Sequence, residues 1–289
     1  MLDIIINPQG GKGKSLKALE TVEQILKSKN VEYSVHKTEY AGHATEIARE
    51  LSKKPNTSIV MMGGDGSFNE ILNGIDNFDN VTLGIVPCGS GNDFVKKSGH
   101  PTDVAAALDV ILAGGTAYCD YIQLDDRRAL NVLGAGMDVD VLLNYATRKH
   151  GPAKMRYYMS LFHVLAHTRF HKLRLTVDGG EPMERNVFMI GIGNGGIIGG
   201  GIPICPSADP YDGELSIVAV NEIKKSKILF ELAGFLSAKH VNKPYTEVFS
   251  GKKVRIEVLD DSKFEADGEI FDSTDIHAEV VHEKLRIFK

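Results

Sequence analysis

Gly63-Gly64-Asp65-Gly66-Ser67-Phe68-Asn69-Glu70 follows directly on the apolar run Ser58-Ile59-Val60-Met61-Met62. A short apolar run of this kind predicts a buried strand. The glycines after it let the backbone turn tightly and come close to a ligand, and the free N–H groups of a following helix start suit a phosphate chain. Asp65 falls at the carboxyl end of the strand, the edge at which open α/β sheets bind ligands. Taken alone, Gly-Gly-Asp-Gly is also compatible with a sharp turn.

Strand and helix patterns alternate on both sides of this junction. Leu2 to Ile6, Val31 to Lys37, Ile59 to Met62 and Val81 to Val86 read as strands, and the stretches between them as helices, including Phe68 to Ile75. Such alternation implies parallel pairing with right-handed crossovers. From about Ala117 strand-like runs follow one another: Tyr118 to Leu124, Leu173 to Val177, Val187 to Ile192, Leu215 to Val220, Lys253 to Leu259, Ile276 to Val281 and Leu285 to Phe288. Helical inserts are expected at about Lys154 to Phe170 and Lys224 to Lys239. The expected organisation is an α/β domain with a parallel sheet over residues 1–120 and a mainly β, sandwich-like domain over 121–282, with 283–289 returning to the first. A length of 289 residues accommodates both cores. The net charge of −5 gives no argument for nucleic acid. Cys88, Cys119 and Cys205 are too few and too scattered for a disulfide scaffold or a zinc ribbon, which fits a reducing cytoplasm. Met1-Leu2-Asp3-Ile4-Ile5-Ile6 lacks a basic leader segment, and no run approaches the ~20 apolar residues that span a bilayer.

Two further loops end at the same sheet edge. Asn7-Pro8-Gln9-Gly10-Gly11-Lys12-Gly13-Lys14-Ser15 follows the first strand and Pro87-Cys88-Gly89-Ser90-Gly91-Asn92-Asp93 the fourth. Gly13-Lys14-Ser15 matches the end of a Walker A loop, but the first glycine of that motif would fall on Pro8. Three loops converging on one edge are better explained by one polyphosphate ligand than by coincidence.

Here the chain resembles a family. Gly63 to Glu70 is similar to the G-G-D-G-T-x-N-E signature of the diacylglycerol kinase family, especially its bacterial soluble lipid kinases. Asn7-Pro8 resembles that family's N-P-x-x-G loop, Pro87 to Phe94 its P-x-G-T-x-N-D-F/L/W motif, and Phe264-Glu265-Ala266-Asp267-Gly268-Glu269 its late x-x-D-G-E motif. Ser67 and Ser90 replace threonines, and Gly91 stands where alanine is common. The resemblance implies a fold like NAD kinase and diacylglycerol kinase, and ATP- and Mg²⁺-dependent phosphorylation of a lipid hydroxyl. By motif, Asn7, Gly10, Gly11, Thr38, Gly64, Asp65, Gly66, Ser67, Asn69, Glu70 and Ser90 surround the nucleotide, with Lys12 and Lys14 near the phosphates. Asp267 is implied as the general base and Glu269 as a neighbour of phosphates or metal. Asp65, Asp93 and Asp120 are implied as a network holding the catalytic Mg²⁺, partly through water. Asp209, Asp212 and the backbone at Glu214 are implied as ligands of a structural Mg²⁺. The chemistry agrees: phosphoryl transfer is positioning and charge neutralisation, with a base to orient the hydroxyl, and Mg²⁺ prefers hard oxygen ligands. Asp267-Gly268 alone also fits a hairpin turn.

The segment Val141 to Val177 has no Asp or Glu and carries Arg148, Lys149, Lys154, Arg156, Arg169, Lys172 and Arg174. Met155, Tyr158, Met159, Phe162, Leu165 and Ala166 form one helical stripe within it. A basic flank beside an apolar stripe suits an interfacial helix near anionic lipid, or a helix that merely covers the second sheet. The expected function is a cytoplasmic lipid kinase working peripherally at the inner membrane face, feeding phospholipid synthesis, with diacylglycerol converted to phosphatidate. A homodimer is compatible with this reading. Kinases of a sphingoid base or of phosphatidylglycerol, an NAD kinase, and a non-catalytic nucleotide- or lipid-responsive regulator are the alternatives. Asn69-Glu70 immediately after Ser67-Phe68 argues against NAD kinase, and an intact Asp267-Gly268-Glu269 against lost catalysis.

Overall fold

Buried runs separated by glycine loops form the first half of the chain. The computed structural model describes the backbone of residues 1–289 and every side chain except those of Lys12, Ala153, Lys154, Ser226, Leu229, Phe230, Leu232 and Ala233. Strands β1 (Leu2–Ile6), β2 (Tyr33–Lys37), β3 (Thr57–Gly63) and β4 (Val81–Pro87) pair in parallel in the spatial order β4-β3-β1-β2. Helices α1 (Lys14–Ser28), α2 (His43–Ser52), α3 (Asp65–Gly74), α4 (Asp93–Ser98) and α5 (Val104–Ala113) connect and cover them. Helix α3 begins at Asp65, three residues before the expected start, so that Asp65 is itself the first helical residue.

The second half is mainly β. Strands β5 (Thr116–Gln123), β6 (Arg128–Ala129), β7 (Val132–Gly136), β8 (His171–Val177) and β9 (Met183–Gly193) lead to a small hairpin of β10 (Ile197–Ile198) and β11 (Ile202–Pro203). Then come β12 (Leu215–Asn221), β13 (Thr246–Gly251), β14 (Lys253–Val258), β15 (Phe264–Ala266), β16 (Glu269–Phe271) and β17 (Asp275–Phe288). Leu133, Leu175, Ile190, Ile217, Ile256 and Phe264 lie in its core. Helices α6 (Met137–Thr147), α7 (Ala153–Ala166) and α8 (Lys225–Leu236) accompany it. The runs 276–281 and 285–288 are one strand and not two. A register shift between Val281 and Leu285, with Glu283 at φ 54°, bends it without ending it. Its first half pairs with β14, and Ile287 lies parallel to Leu83 of β4, so one sheet runs through both halves of the molecule. Helix α6 was not expected. It begins after Gly136, whose φ of 104° turns the end of β7 directly into a helix start.

Candidate active site

The three phosphate-type loops are built against each other. Cys88 N and Gly89 N donate to Gly63 O at 2.7 and 3.1 Å. A methyl group added at Gly64 would stand 2.9 Å from the Gly89 α-carbon, so these loops touch backbone to backbone. Gly11 packs in the same way against the Cys88 carbonyl. Ser15 Oγ donates to Asn7 O at 2.7 Å and to Gly10 O at 3.1 Å. Its hydroxyl therefore braces the first loop, which is not how a Walker serine is used. Asn92, at φ 51°, closes the third loop by bonding Gly89 at both N and O.

Asn7, Thr38, Ser67 and Glu70 line one cleft of about 230 Å³ beside these loops, together with Gln9, Tyr40 and Ala41, which sequence reasoning missed. Glu70 accepts from Ala44 N at 3.2 Å and so ties α3 to α2 at the cleft wall. Gly66 faces open space, and Lys14 and Ser90 are exposed near the loops. The side chain of Lys12 lies outside the described residues.

A second cavity of about 220 Å³ lies between the two halves and is lined by five acids: Asp65, Asp93, Asp138, Glu265 and Asp267. Asp65 Oδ1 accepts from Phe94 N at 3.1 Å. Asp93 accepts from Lys96 Nζ at 2.9 Å and from Gly200 N at 2.7 Å, so the glycine-dense stretch after β9 supplies a backbone donor to the site. Both acids flank Gly91: a methyl there would sit 3.0 Å from Asp65 Oδ2 and 3.6 Å from Asp93 Oδ2. The oxygen-only side chains of Asp65 and Asp93 are of the kind a hard divalent cation takes, while the Lys96 ammonium already neutralises Asp93 Oδ1.

Asp267 and Gly268 are the two tip residues of the β15–β16 hairpin, with φ of 50° and 89°, so the motif is a turn and a site at once. Asp267 Oδ2 accepts from Asn69 Nδ2 at 2.8 Å and Leu130 N at 2.6 Å. Its Oδ1 accepts from Asn131 N at 2.9 Å and Val132 N at 3.0 Å. A carboxylate offers about four lone-pair positions, and all are filled. Burial raises this carboxyl above the usual range, while the donors oppose the shift. In this geometry Asp267 clamps the 130–132 backbone to α3 through these four bonds. Glu269 is exposed and lines a neighbouring cleft with Asn69, Glu70 and Arg127, away from the five-acid cavity.

Asp120 also departs from expectation. It does not line the cavity of Asp65 and Asp93. It is buried beside the 209–214 loop, where it accepts from Gly213 N at 2.8 Å and pairs with His282 Nδ1 at 2.7 Å. β5 carries it there because its own N–H bonds Pro210 O. Asp209 and Asp212 each accept from a backbone N–H two residues on. Partial burial and the neighbouring Asp209, Asp120 and Glu214 raise the Asp212 carboxyl. Glu214 turns its own carboxylate to Ser250, leaving its backbone as the nearer candidate ligand. Among the described residues no three His, Cys, Asp or Glu side chains are set to hold a metal.

Residues 2–124 match the diacylglycerol kinase catalytic domain, and residues 131–289 match the YegS C-terminal NAD kinase beta sandwich-like domain. The chain belongs to the diacylglycerol kinase family of lipid kinases. It is 27% identical over 273 residues to the diacylglycerol kinase of Bacillus subtilis, covering 92% of this chain and 88% of that one. It is 29% identical over 264 residues to that of Mycobacterium tuberculosis, covering 88% and 84%. A crystal structure of a diacylglycerol kinase from Bacillus anthracis superposes with a TM-score of 0.75 at 22% identity, covering 99% and 96%. Yeast NADH kinase shares the fold more distantly, with a TM-score of 0.55 at 12% identity over 99% of this chain and 82% of that one. Besides Gln9, Tyr40 and Ala41 in the cleft, Asp138 and Glu265 in the acid cavity of this lipid kinase are residues that sequence reasoning missed. Glu265 stood inside the quoted late motif, and Asp138 follows the strand–glycine–helix junction at Gly134-Ala135-Gly136.

Proposed function

We propose that this lipid kinase transfers the γ-phosphate of ATP, with Mg²⁺, to the hydroxyl of diacylglycerol, giving phosphatidate. The observation that carries this reading is the convergence of three glycine-rich loops on a five-acid cavity of about 220 Å³, beside an apolar cavity of about 20 Å³. The five-acid cavity shares Asp138, Tyr157 and Ile198 with an apolar one lined by Leu161, Leu165, Phe188 and Phe235. A lipid hydroxyl reaching the five-acid cavity would lie among the acids beside the three glycine-rich loops. Glycine N–H groups of the loops after β1, β3 and β4 take the phosphates, and Asn7, Thr38, Ser67 and Glu70 enclose the nucleoside. Asp65 and Asp93 are the residues that would hold Mg²⁺, and Asp209, Asp212 and the Glu214 carbonyl a structural one. The bound ion neutralises phosphate charge that the acids alone would repel. The acceptor's proton leaves to a carboxylate of the same cavity.

Met155, Tyr158, Met159 and Phe162 on α7 are exposed, whereas Leu161, Val164 and Leu165 of the same helix are buried. The expected stripe is thus divided between core and surface. Arg148, Arg156, Arg169, Lys172 and Arg174 are engaged by Asn144 and Ser160, by backbone and Tyr145, or by Asp140, Glu184, Glu257 and Asp261. Membrane contact at the inner face then rests on the apolar face of α7 more than on basic charge. No helix among the described residues is long and apolar enough to cross a membrane. The test is purified protein with labelled ATP and Mg²⁺ against diacylglycerol, sphingosine and phosphatidylglycerol in mixed micelles, with NAD as a comparison. The expected product is labelled phosphatidate; labelled NADP alone would overturn the reading.

A further inference from the structure

We propose that Tyr40 is the platform on which the base of the nucleoside triphosphate stacks, and that it sets a preference for a purine; this rests on the lipid-kinase reading above and deepens it at the nucleotide cleft. The sequence builds the platform locally. Tyr40-Ala41-Gly42-His43 leads from β2 into α2, and His43 N donates to Tyr40 O at 3.2 Å, closing a four-residue turn. Gly42 takes the third place at φ 86°, where a side chain would be strained. The turn lays the Tyr40 ring on that of His43, with centroids 4.6 Å apart and planes 5° apart. Tyr40 Oη donates to Glu46 of α2 at 2.8 Å, and His43 Nδ1 accepts from Glu39 N at 3.1 Å. The ring is thus backed on one face and pinned at its tip while it remains 54% exposed.

The cleft that Tyr40 borders has the chemistry of a nucleoside site and not of a phosphate site. Among the described residues no Lys or Arg lines it, and its charged side chains are the acids Glu39 and Glu70. Acids repel a triphosphate, which belongs at the glycine loops, and leave the cleft to the uncharged base and ribose. Asn7 and Ser67 of those loops form part of the cleft wall, so base and phosphates are served by adjoining surfaces. Ile5, the other large apolar side chain of the lining, is 2% exposed, which leaves the Tyr40 ring as the apolar face open to a flat heterocycle. Because Glu46 already takes the phenolic hydroxyl, the contact with a base is made by the π-face and not by a hydrogen bond. Dispersion grows with the area of ring covered, so a bicyclic purine gains more here than a pyrimidine. A ring fixed before the ligand arrives also loses little side-chain freedom on binding.

The experiment is calorimetry on the full chain with Mg²⁺ and three probes: ATP, UTP and inorganic tripolyphosphate. Wild type should bind ATP at least about fivefold more tightly than UTP. Tyr40→Ala should weaken ATP at least about fivefold, the low end of what a stacked base contributes, and should reduce the preference for ATP over UTP. Tripolyphosphate, which has no base to stack, should bind both proteins within about threefold. Tyr40→Phe, which keeps the ring, should hold ATP within about threefold of wild type. A smaller loss of ATP affinity in Tyr40→Ala, or an equal loss for tripolyphosphate, overturns the assignment while leaving the lipid-kinase reading intact. A wild-type protein that does not distinguish ATP from UTP overturns it too. Should Tyr40→Ala fail to fold by circular dichroism, Tyr40→Leu takes its place, since it keeps bulk and loses the π-face, and the same thresholds decide. Wild type that binds no nucleoside triphosphate overturns both readings together.

Discussion

Asp267 shows how far one residue's task depends on its neighbours' donors. Its carboxylate joins Asn69 of α3 to three consecutive backbone N–H groups, from Leu130 to the first residue of β7. Asp267→Asn would turn an amide NH₂ toward two of those donors and leave them unsatisfied. The expected cost is about 3 kcal/mol, because hydrogen bonds to charged groups are the stronger ones and buried orphans add to the loss. Differential scanning fluorimetry should then record a lower melting temperature alongside reduced turnover. An unchanged melting temperature with abolished turnover would mark Asp267 as acting in the reaction itself and not only as a clamp. The glycine at 64 is constrained differently. Its φ of −112° suits any residue, and what excludes a side chain is the Gly89 backbone 2.9 Å from its Cβ position. Gly64→Val should push the two loops apart at a cost of about 1–3 kcal/mol and weaken ATP at least about tenfold by calorimetry, without unfolding the protein. Unaltered ATP affinity would move the phosphates elsewhere.

At the scale of elements, α7 separates two forces that its sequence mixes. Arg148, Arg156, Arg169 and Arg174 beside it are held by backbone, side chains and acids of the protein, while four large apolar side chains remain at the surface. Replacing Met155, Met159 and Phe162 together by Ser should weaken co-sedimentation with anionic vesicles by about a hundredfold, taking about 1 kcal/mol for each partly exposed side chain. Changing Arg148 and Lys149 to Gln should change it far less, and binding should fall only modestly with salt. Vesicle binding that follows the charge variant and collapses at high salt would restore the electrostatic account.

At the scale of the molecule, the acids of the inter-domain cavity make stability depend on pH in a definite direction. Burial raises Asp138 to about 7, and raises Glu265 and Asp267 as well. Each such group binds its proton more tightly folded than unfolded, so stability is greatest near the unfolded carboxylate range and falls as pH climbs through the folded values. Asp138→Asn, a neutral mimic, should therefore be more stable than wild type at pH 8, by about 2–4 kcal/mol, with the difference shrinking toward pH 5. Denaturant melts at the two pH values test this, and a variant less stable at pH 8 would contradict it. The parallel sheet, its phosphate loops and the β-rich second half were legible in the sequence because strand period, glycine turns and helix starts are local signals. Asp65, Asn69, Asp93 and Asp267 could be picked out for the same reason: each sits in a short motif. The division of labour among the acids was not legible. Whether Asp267 has a lone pair to spare depends on backbone N–H groups 135 to 137 residues away. Whether Asp120 joins Asp93 or the 209–214 loop depends on where β5 docks. The apposition of Asp138 with Glu265 requires β7 and β15 to lie side by side, with Gly134 opposite Glu265 in the register. Chain-local chemistry sets which residue types can act; only the packing of distant strands decides which acid is saturated with donors and which is buried without a partner.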